Sequence, residues 1–157
     1  MAGVRGGLSS VAQGISAGTA HAGVATRRLL ILGGTGFLGP HVVDAARRRG
    51  FSVTLFNRGK TDPELFRAAS GIEMVHGDRD GGLGVLRGRT WDAALDTSGH
   101  LPRLVRDAAL FLKDAVRQYI YVSSVSVYRE MDKVIDESSP LAMLPAGIDA
   151  KVDHVTD

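Results

Sequence analysis

The sequence predicts an α/β fold in which a doubly wound parallel sheet carries helices on both faces. Two observations predict it. Short apolar runs alternate with helical patterns, and the first run ends in a glycine-rich loop that opens an amphipathic helix. Alternation of that kind implies right-handed crossovers between parallel strands. The expected strand order is 3-2-1-4-5, with ligands at the carboxyl ends of strands 1, 2, 4 and 5.

The elements follow in order. Leu29-Leu30-Ile31-Leu32 is a continuous apolar run, as a strand buried on both faces should be. After the loop, Leu38, Val42, Ala45 and Ala46 mark one face of a helix. Arg47-Arg48-Arg49 favour its dipole at the last turn, and Gly50 suits its C-terminal cap. Phe51–Phe56 is the second strand. Thr61-Asp62-Pro63-Glu64 predicts a helix start, with a capping side chain and proline in the first turn. Ile72–Val75 is the third strand. Leu83, Val85 and Leu86 indicate a short helix or turn, and Ala93–Asp96 the fourth strand. A helix from about Leu101 to Arg117 shows an apolar face of Leu101, Leu104, Val105, Ala108, Phe111, Leu112 and Ala115. Tyr119–Val122 is the fifth strand, and no firm element is expected from Tyr128 onward.

Composition narrows the function classes. At 157 residues, 44% hydrophobic and 23% charged, the chain suits one globular domain. It has no cysteine, so disulfides and thiolate metal sites are excluded. The net charge of +2 is unevenly placed: residues 1–28 contain Arg5, Arg27 and Arg28 but no acid, leaving a near-neutral body. A nucleic-acid footprint needs clustered cations, so a nucleic-acid partner is not expected. No window is long and apolar enough for a membrane span. Residues 1–27 read as a flexible extension or a degenerate signal, since Ala20-His21-Ala22 resembles a cleavage site but polar residues interrupt every apolar core. Residues 28–157 form the expected domain, and a cytoplasmic location is expected, export being the alternative.

The loop Gly33-Gly34-Thr35-Gly36-Phe37-Leu38-Gly39 carries the chemistry. Gly33 permits a tight turn, Gly36 lets a pyrophosphate approach the backbone, and Gly39 allows close helix–strand packing. The helix end then offers N–H groups and positive dipole to phosphates. This predicts a Rossmann-type site for NADP or NAD. No Gly-Lys-Ser/Thr ending supports a mononucleotide loop. At the end of the second strand Asn57 can hydrogen-bond a ribose and Arg58 can pair with a 2′-phosphate, which favours NADP. Asp78 follows the third strand, where a carboxylate can accept from an adenine amino group.

Four stretches together resemble the extended short-chain dehydrogenase/reductase superfamily, also called the NAD-dependent epimerase/dehydratase family. They are Gly33–Gly39, Asn57-Arg58-Gly59, Gly77-Asp78-Arg79-Asp80 and Ser123-Ser124-Val125-Ser126-Val127-Tyr128. The resemblance implies pyrophosphate binding at the first stretch and adenine beside Asp78 and Arg79. It also implies a nicotinamide-side ribose along Thr97, Ser98 and Gly99, with Ser123 nearby. Ser124, four residues before Tyr128, would hold the substrate oxygen, a position where a hydroxyl can stabilise developing charge.

One departure matters. The family's base is a tyrosine with lysine four positions later, the lysine lowering the tyrosine pKa. Here Tyr119, Tyr121 and Tyr128 are followed at that spacing by Ser123, Val125 and Asp132. The pair is expected after residue 157, so the chain reads as the N-terminal part of an epimerase, dehydratase or reductase, inactive alone. The parent substrate would be a nucleotide-linked sugar or a similar secondary alcohol or ketone. The alternative is a non-catalytic dinucleotide sensor, or an RNA-binding relative of the same fold.

Overall fold

The computed structural model describes residues 26–69 and 71–143. Strand β1 (Arg28–Leu32) leads through the glycine loop into helix α1 (Gly39–Arg48). Then come β2 (Ser52–Asn57), β3 (Ile72–His76), a 3-10 turn over Leu83–Leu86, and β4 (Ala93–Asp96). Helix α2 (Pro102–Leu112), β5 (Tyr119–Tyr121) and a second 3-10 turn (Val125–Val127) complete the described elements. The strands form one sheet in the order β3-β2-β1-β4-β5, every pairing parallel. Fold class and strand order are those the sequence predicts.

Two cores flank the sheet because successive residues of a strand face opposite sides. Ile31 of β1 joins Val53 and Leu55 of β2 and Val43 and Ala46 of α1 on one face. Leu30 and Leu32 join Phe56, Ala94, Trp91, Leu86, Ala108 and Leu112 on the other. A fully buried Leu, Ile or Phe contributes about 1.5–3 kcal/mol, so β1, buried on both faces, is the central support. The one polar side chain buried within β2, Thr54, accepts a hydrogen bond from Trp91 Nε1 at 3.0 Å.

Three expectations need correction. Of the expected α1 face Leu38, Val42, Ala45 and Ala46, only Ala46 is buried; its buried companions are Gly39 and Val43, and Leu38 is exposed. No helix starts at Thr61. Successive turns run there instead, with Asp62 and Phe66 at φ of 44° and 72°. That backbone breaks the helical ladder, and only Leu65 and Phe66 in the stretch are half-buried. Helix α2 spans Pro102–Leu112 rather than reaching Arg117, because Val116 leaves the helix to bridge Trp91. From Tyr128 onward the described residues hold no helix or strand, as expected; an isolated antiparallel bridge joins Tyr128 to Leu141, and Asp136 and Ser139 form a turn. The expected extension, up to residue 25, lies outside the described residues.

Candidate functional site

All five strands end on one side, and their carboxyl ends rim a cleft of about 590 Å³. The whole stretch Gly33–Gly39 lines it, together with Asn57, Arg58, Asp78, Arg79, Thr97, Ser98 and Ser123. Of the residues singled out from sequence, Gly99 and Ser124 are not among the lining.

The glycines divide the work. Gly33 sits at φ 101°, and a Cβ there would lie 2.6 Å from Thr97 Oγ1 and 3.1 Å from Ser98 Cβ. It lets the loop after β1 press against the loop after β4. At Gly39 a Cβ would lie 2.2 Å from the Gly34 carbonyl carbon, so the start of α1 packs directly on loop backbone. At Gly36 a Cβ meets nothing within 4 Å. No packing against the described residues requires glycine there. Helix α1 begins at the cleft with no side-chain cap and no acid in its first turn, leaving its positive end open to an anion.

The ends of β2 and β3 form the next wall. Asn57 Oδ1 accepts from the Gly59 amide at 2.8 Å and lies 3.2 Å from His76 Nδ1. Its Nδ2 is buried without a partner, a donor held in reserve. Arg58 and Lys60 stand beside it on the cleft wall, and no hydrogen bond or ion pair joins either to another described residue. Asp78 Oδ1 accepts from the Asp80 amide at 3.0 Å, and Asp80 is clamped to Arg103 of α2 by two bonds of 2.9 Å. Hydrogen bonding from Arg103 holds the Asp80 carboxyl below its ordinary range.

Beneath the cleft lies a buried ion pair. Arg79 Nη1 and Nη2 donate to Asp96 Oδ1 and Oδ2 at 2.8 and 2.7 Å. The same guanidinium donates to Ser98 Oγ at 3.0 Å and to the Leu104 carbonyl at 3.1 Å. Asp96 also accepts from the Tyr119 hydroxyl at 2.5 Å and the Ser98 amide at 3.0 Å. Burial alone would raise the Asp96 carboxyl. Hydrogen bonds from Arg79, Tyr119 and the Ser98 amide, with the Arg79 charge, nevertheless hold it below its usual value. Burial, then the neighbouring carboxylate, push the Tyr119 phenol well above its ordinary range. Charge and donors are therefore balanced inside the cluster, except at Arg79 Nε.

At the far end, Thr97 donates from both its amide and its hydroxyl to the Leu32 carbonyl, at 3.0 and 3.1 Å. The Gly99 carbonyl accepts from the Tyr121 hydroxyl at 2.8 Å, below the cleft. Ser124 caps the second 3-10 turn: its Oγ accepts from the Ser126 amide and donates to Ser126 Oγ. Lys60, Thr61 and His100 also line the cleft and escape the sequence reading. Lys60 had a signal, two residues after Arg58 in the same loop. His100, just past Gly99, had none beyond that adjacency.

Fold and cleft define a Rossmann-type nucleotide-site architecture. The model of the NAD dependent epimerase/dehydratase family matches residues 29–82, and the chain resembles that family over this N-terminal part. Among curated proteins, the chloroplast stem-loop binding protein of 41 kDa b from Arabidopsis thaliana is 31% identical over 119 residues, 68% of this chain and 31% of that protein. Among solved structures, the UDP-Glc/GlcNAc 4-epimerase of Campylobacter jejuni superposes with a TM-score of 0.64 at 18% identity, over 75% of this chain and 44% of its own. The Bordetella bronchiseptica enzyme WbmG, in complex with NAD and UDP, gives 0.64 at 18%, over 76% and 45%. At such identities the superpositions speak for the fold. The chain spans less than half the length of each of these proteins. Among the described residues no helix is long and apolar enough to cross a membrane.

Proposed function

We propose that residues 28–157 are the dinucleotide-binding part of an NAD(P)-dependent epimerase, dehydratase or reductase. The single observation that carries this reading is Gly36: it lines the cleft at the uncapped start of α1, and a Cβ there would have nothing within 4 Å among the described residues. Glycine at that position serves something that approaches from the cleft, and a pyrophosphate fits both the backbone and the dipole. Asn57, Arg58 and Lys60 would receive the adenine-side ribose. Arg58 and Lys60 offer donors, and the Asn57 carbonyl oxygen is already engaged by Gly59, so the wall suits a 2′-phosphate and NADP over NAD. Asp78 would take the adenine, and Thr97 and Ser98 the second ribose.

When bound, the nicotinamide supplies hydride exchange with a carbon that carries oxygen. The chain's own contribution is to bind, orient and screen it. A nucleotide-linked sugar is the proposed substrate class of the whole enzyme, as the names of the Campylobacter and Bordetella proteins suggest. Ser124 is the proposed substrate-oxygen ligand, a role that requires its hydroxyl to turn from Ser126.

That engagement of Ser124 favours one second reading, a dinucleotide sensor without turnover. The Arabidopsis relative's name adds a stem-loop binding variant of it. Titration calorimetry of the 157-residue chain with NADP, NAD and a short RNA hairpin separates them. Micromolar NADP binding with no hairpin binding supports the proposal, and failure to bind either dinucleotide overturns it.

A further inference from the structure

We infer that Arg79 is a positioning residue: paired with Asp96 under the cleft, it fixes the loops after β3 and β4 against the glycine loop, and it is not a phosphate ligand. The inference rests on the dinucleotide reading of the cleft and deepens it.

The geometry separates Arg79 from the other cleft cations. Its side chain is 10% exposed and that of Asp96 is fully buried, and the two form a bidentate pair that leaves little net charge to act on a ligand. Arg58 and Lys60 line the same cleft with no such partner. All four N–H bonds that Arg79 makes through Nη1 and Nη2 go to protein oxygens. Those oxygens belong to β4, to the loop behind it and to α2, whereas Arg79 itself belongs to the loop behind β3. One guanidinium therefore ties the proposed adenine wall to the proposed nicotinamide wall.

The tie extends one step further. Ser98 Oγ, held by Arg79, lies 3.4 Å from where a Gly33 Cβ would be, and Ser98 Cβ lies 3.1 Å from it. Ser98 thus abuts the first glycine of the phosphate loop. From below, Tyr119 of β5 donates to Asp96 Oδ2, fixing the carboxylate that orients the arginine. Loosening Arg79 should release both walls together without removing a charge that the ligand feels. A lysine cannot replace it, since an ammonium lacks the planar fork that spans two carboxylate oxygens.

The test uses the 157-residue chain and the variants Arg79→Lys, Arg79→Met with Asp96→Asn, and Ser98→Ala. Three quantities are measured: melting temperature, NADP Kd over a salt series, and amide exchange of peptides covering Gly33–Thr35 and Thr97–Gly99. In folded Arg79→Lys, NADP should bind roughly tenfold more weakly, the scale of one lost hydrogen bond to a charged group. Exchange of both loops should rise together. Arg79→Met combined with Asp96→Asn, which removes both charges of the pair, should keep the wild-type salt dependence, whereas loss of a direct phosphate ligand would flatten it. A lowered melting temperature with wild-type Kd and loop exchange overturns the inference, as does a flattened salt dependence in the double variant. If the Arg79 variants do not fold, Ser98→Ala decides on the unliganded chain, since it keeps the ion pair and removes only the hydroxyl by which Arg79 holds Ser98 against Gly33. Faster loop exchange in it supports the inference, and wild-type exchange overturns it. Should the wild-type chain bind no dinucleotide, the reading of the cleft fails, while the exchange measurement still judges the role of Arg79.

Discussion

Gly36 and Gly39 are three residues apart in one loop, yet they should respond oppositely to substitution. A Cβ at Gly36 has nothing within 4 Å, so Gly36→Val should keep the wild-type melting temperature and abolish NADP binding by filling the space proposed for the pyrophosphate. A valine at Gly39 drives into Gly34 backbone, and backbone yields far less readily than a side chain. Gly39→Val should cost about 3 kcal/mol or more, at or beyond the upper end of ordinary overpacking. Melting curves and calorimetry on the pair check both, and unchanged NADP affinity in folded Gly36→Val would remove the loop's proposed role. Arg58→Ala should weaken NADP by about 1.5–3 kcal/mol, the worth of a charge-assisted bond, and hardly touch NAD. Equal losses for both would mean that Arg58 packs on the ligand instead of pairing with its 2′-phosphate. At this scale the place of the loop and of Arg58 on the cleft was legible, because residue type and spacing put both at strand ends. Arg79 was read only through the resemblance, as a residue beside the adenine. Its partner lies 17 positions away on another strand, and nothing in the local pattern couples them.

Among elements, legibility followed periodicity. β1, β4 and the strand order read directly from short apolar runs ending in turns. The stripe of α1 read partly off because Val42-Val43 and Ala45-Ala46 are doublets, which fit two neighbouring lines equally well. The Thr61 segment had good cap chemistry but too little apolar surface to hold a helix, and caps contribute only about 1 kcal/mol. The end of α1 is the clearest success. Its C-cap is Arg49, the Gly50 amide bonds the Arg47 carbonyl at 2.9 Å, and Gly50 sits at φ 75°. A Cβ at Gly50 meets nothing within 4 Å, so Gly50→Ala isolates the cost of left-handed backbone from any clash. The expected loss is about 1–2 kcal/mol, read as a lower urea midpoint with unchanged slope. No loss would mean that the chain leaves α1 by another route.

For the whole molecule, the Arg79–Asp96 pair is where the second core, the cleft floor and the edge strand β5 meet. Tyr119 packs against that core through its ring and bonds Asp96 through its hydroxyl. A buried pair of this kind adds little over a well-packed apolar substitute, but removing one partner strands the other and costs about 3–5 kcal/mol. Asp96→Asn should therefore be destabilised by that order at neutral pH, with Arg79 left without its counter-charge. The pH dependence follows from the depressed Asp96 carboxyl. A carboxyl titrating lower in the folded than in the unfolded chain binds fewer protons when folded. Its stabilisation is complete above the unfolded value, about 3.9, and is lost as pH falls through the folded value. The asparagine variant has no such group. The stability gap between wild type and Asp96→Asn should thus stay constant from pH 7 to about 5 and narrow below about pH 4. Urea denaturation of both proteins across that range measures it, and the comparison cancels Asp80 and Asp136, whose carboxyls are also held low. A gap that persists undiminished at pH 2.5 would show that the ionised Asp96 does not hold the strand ends together.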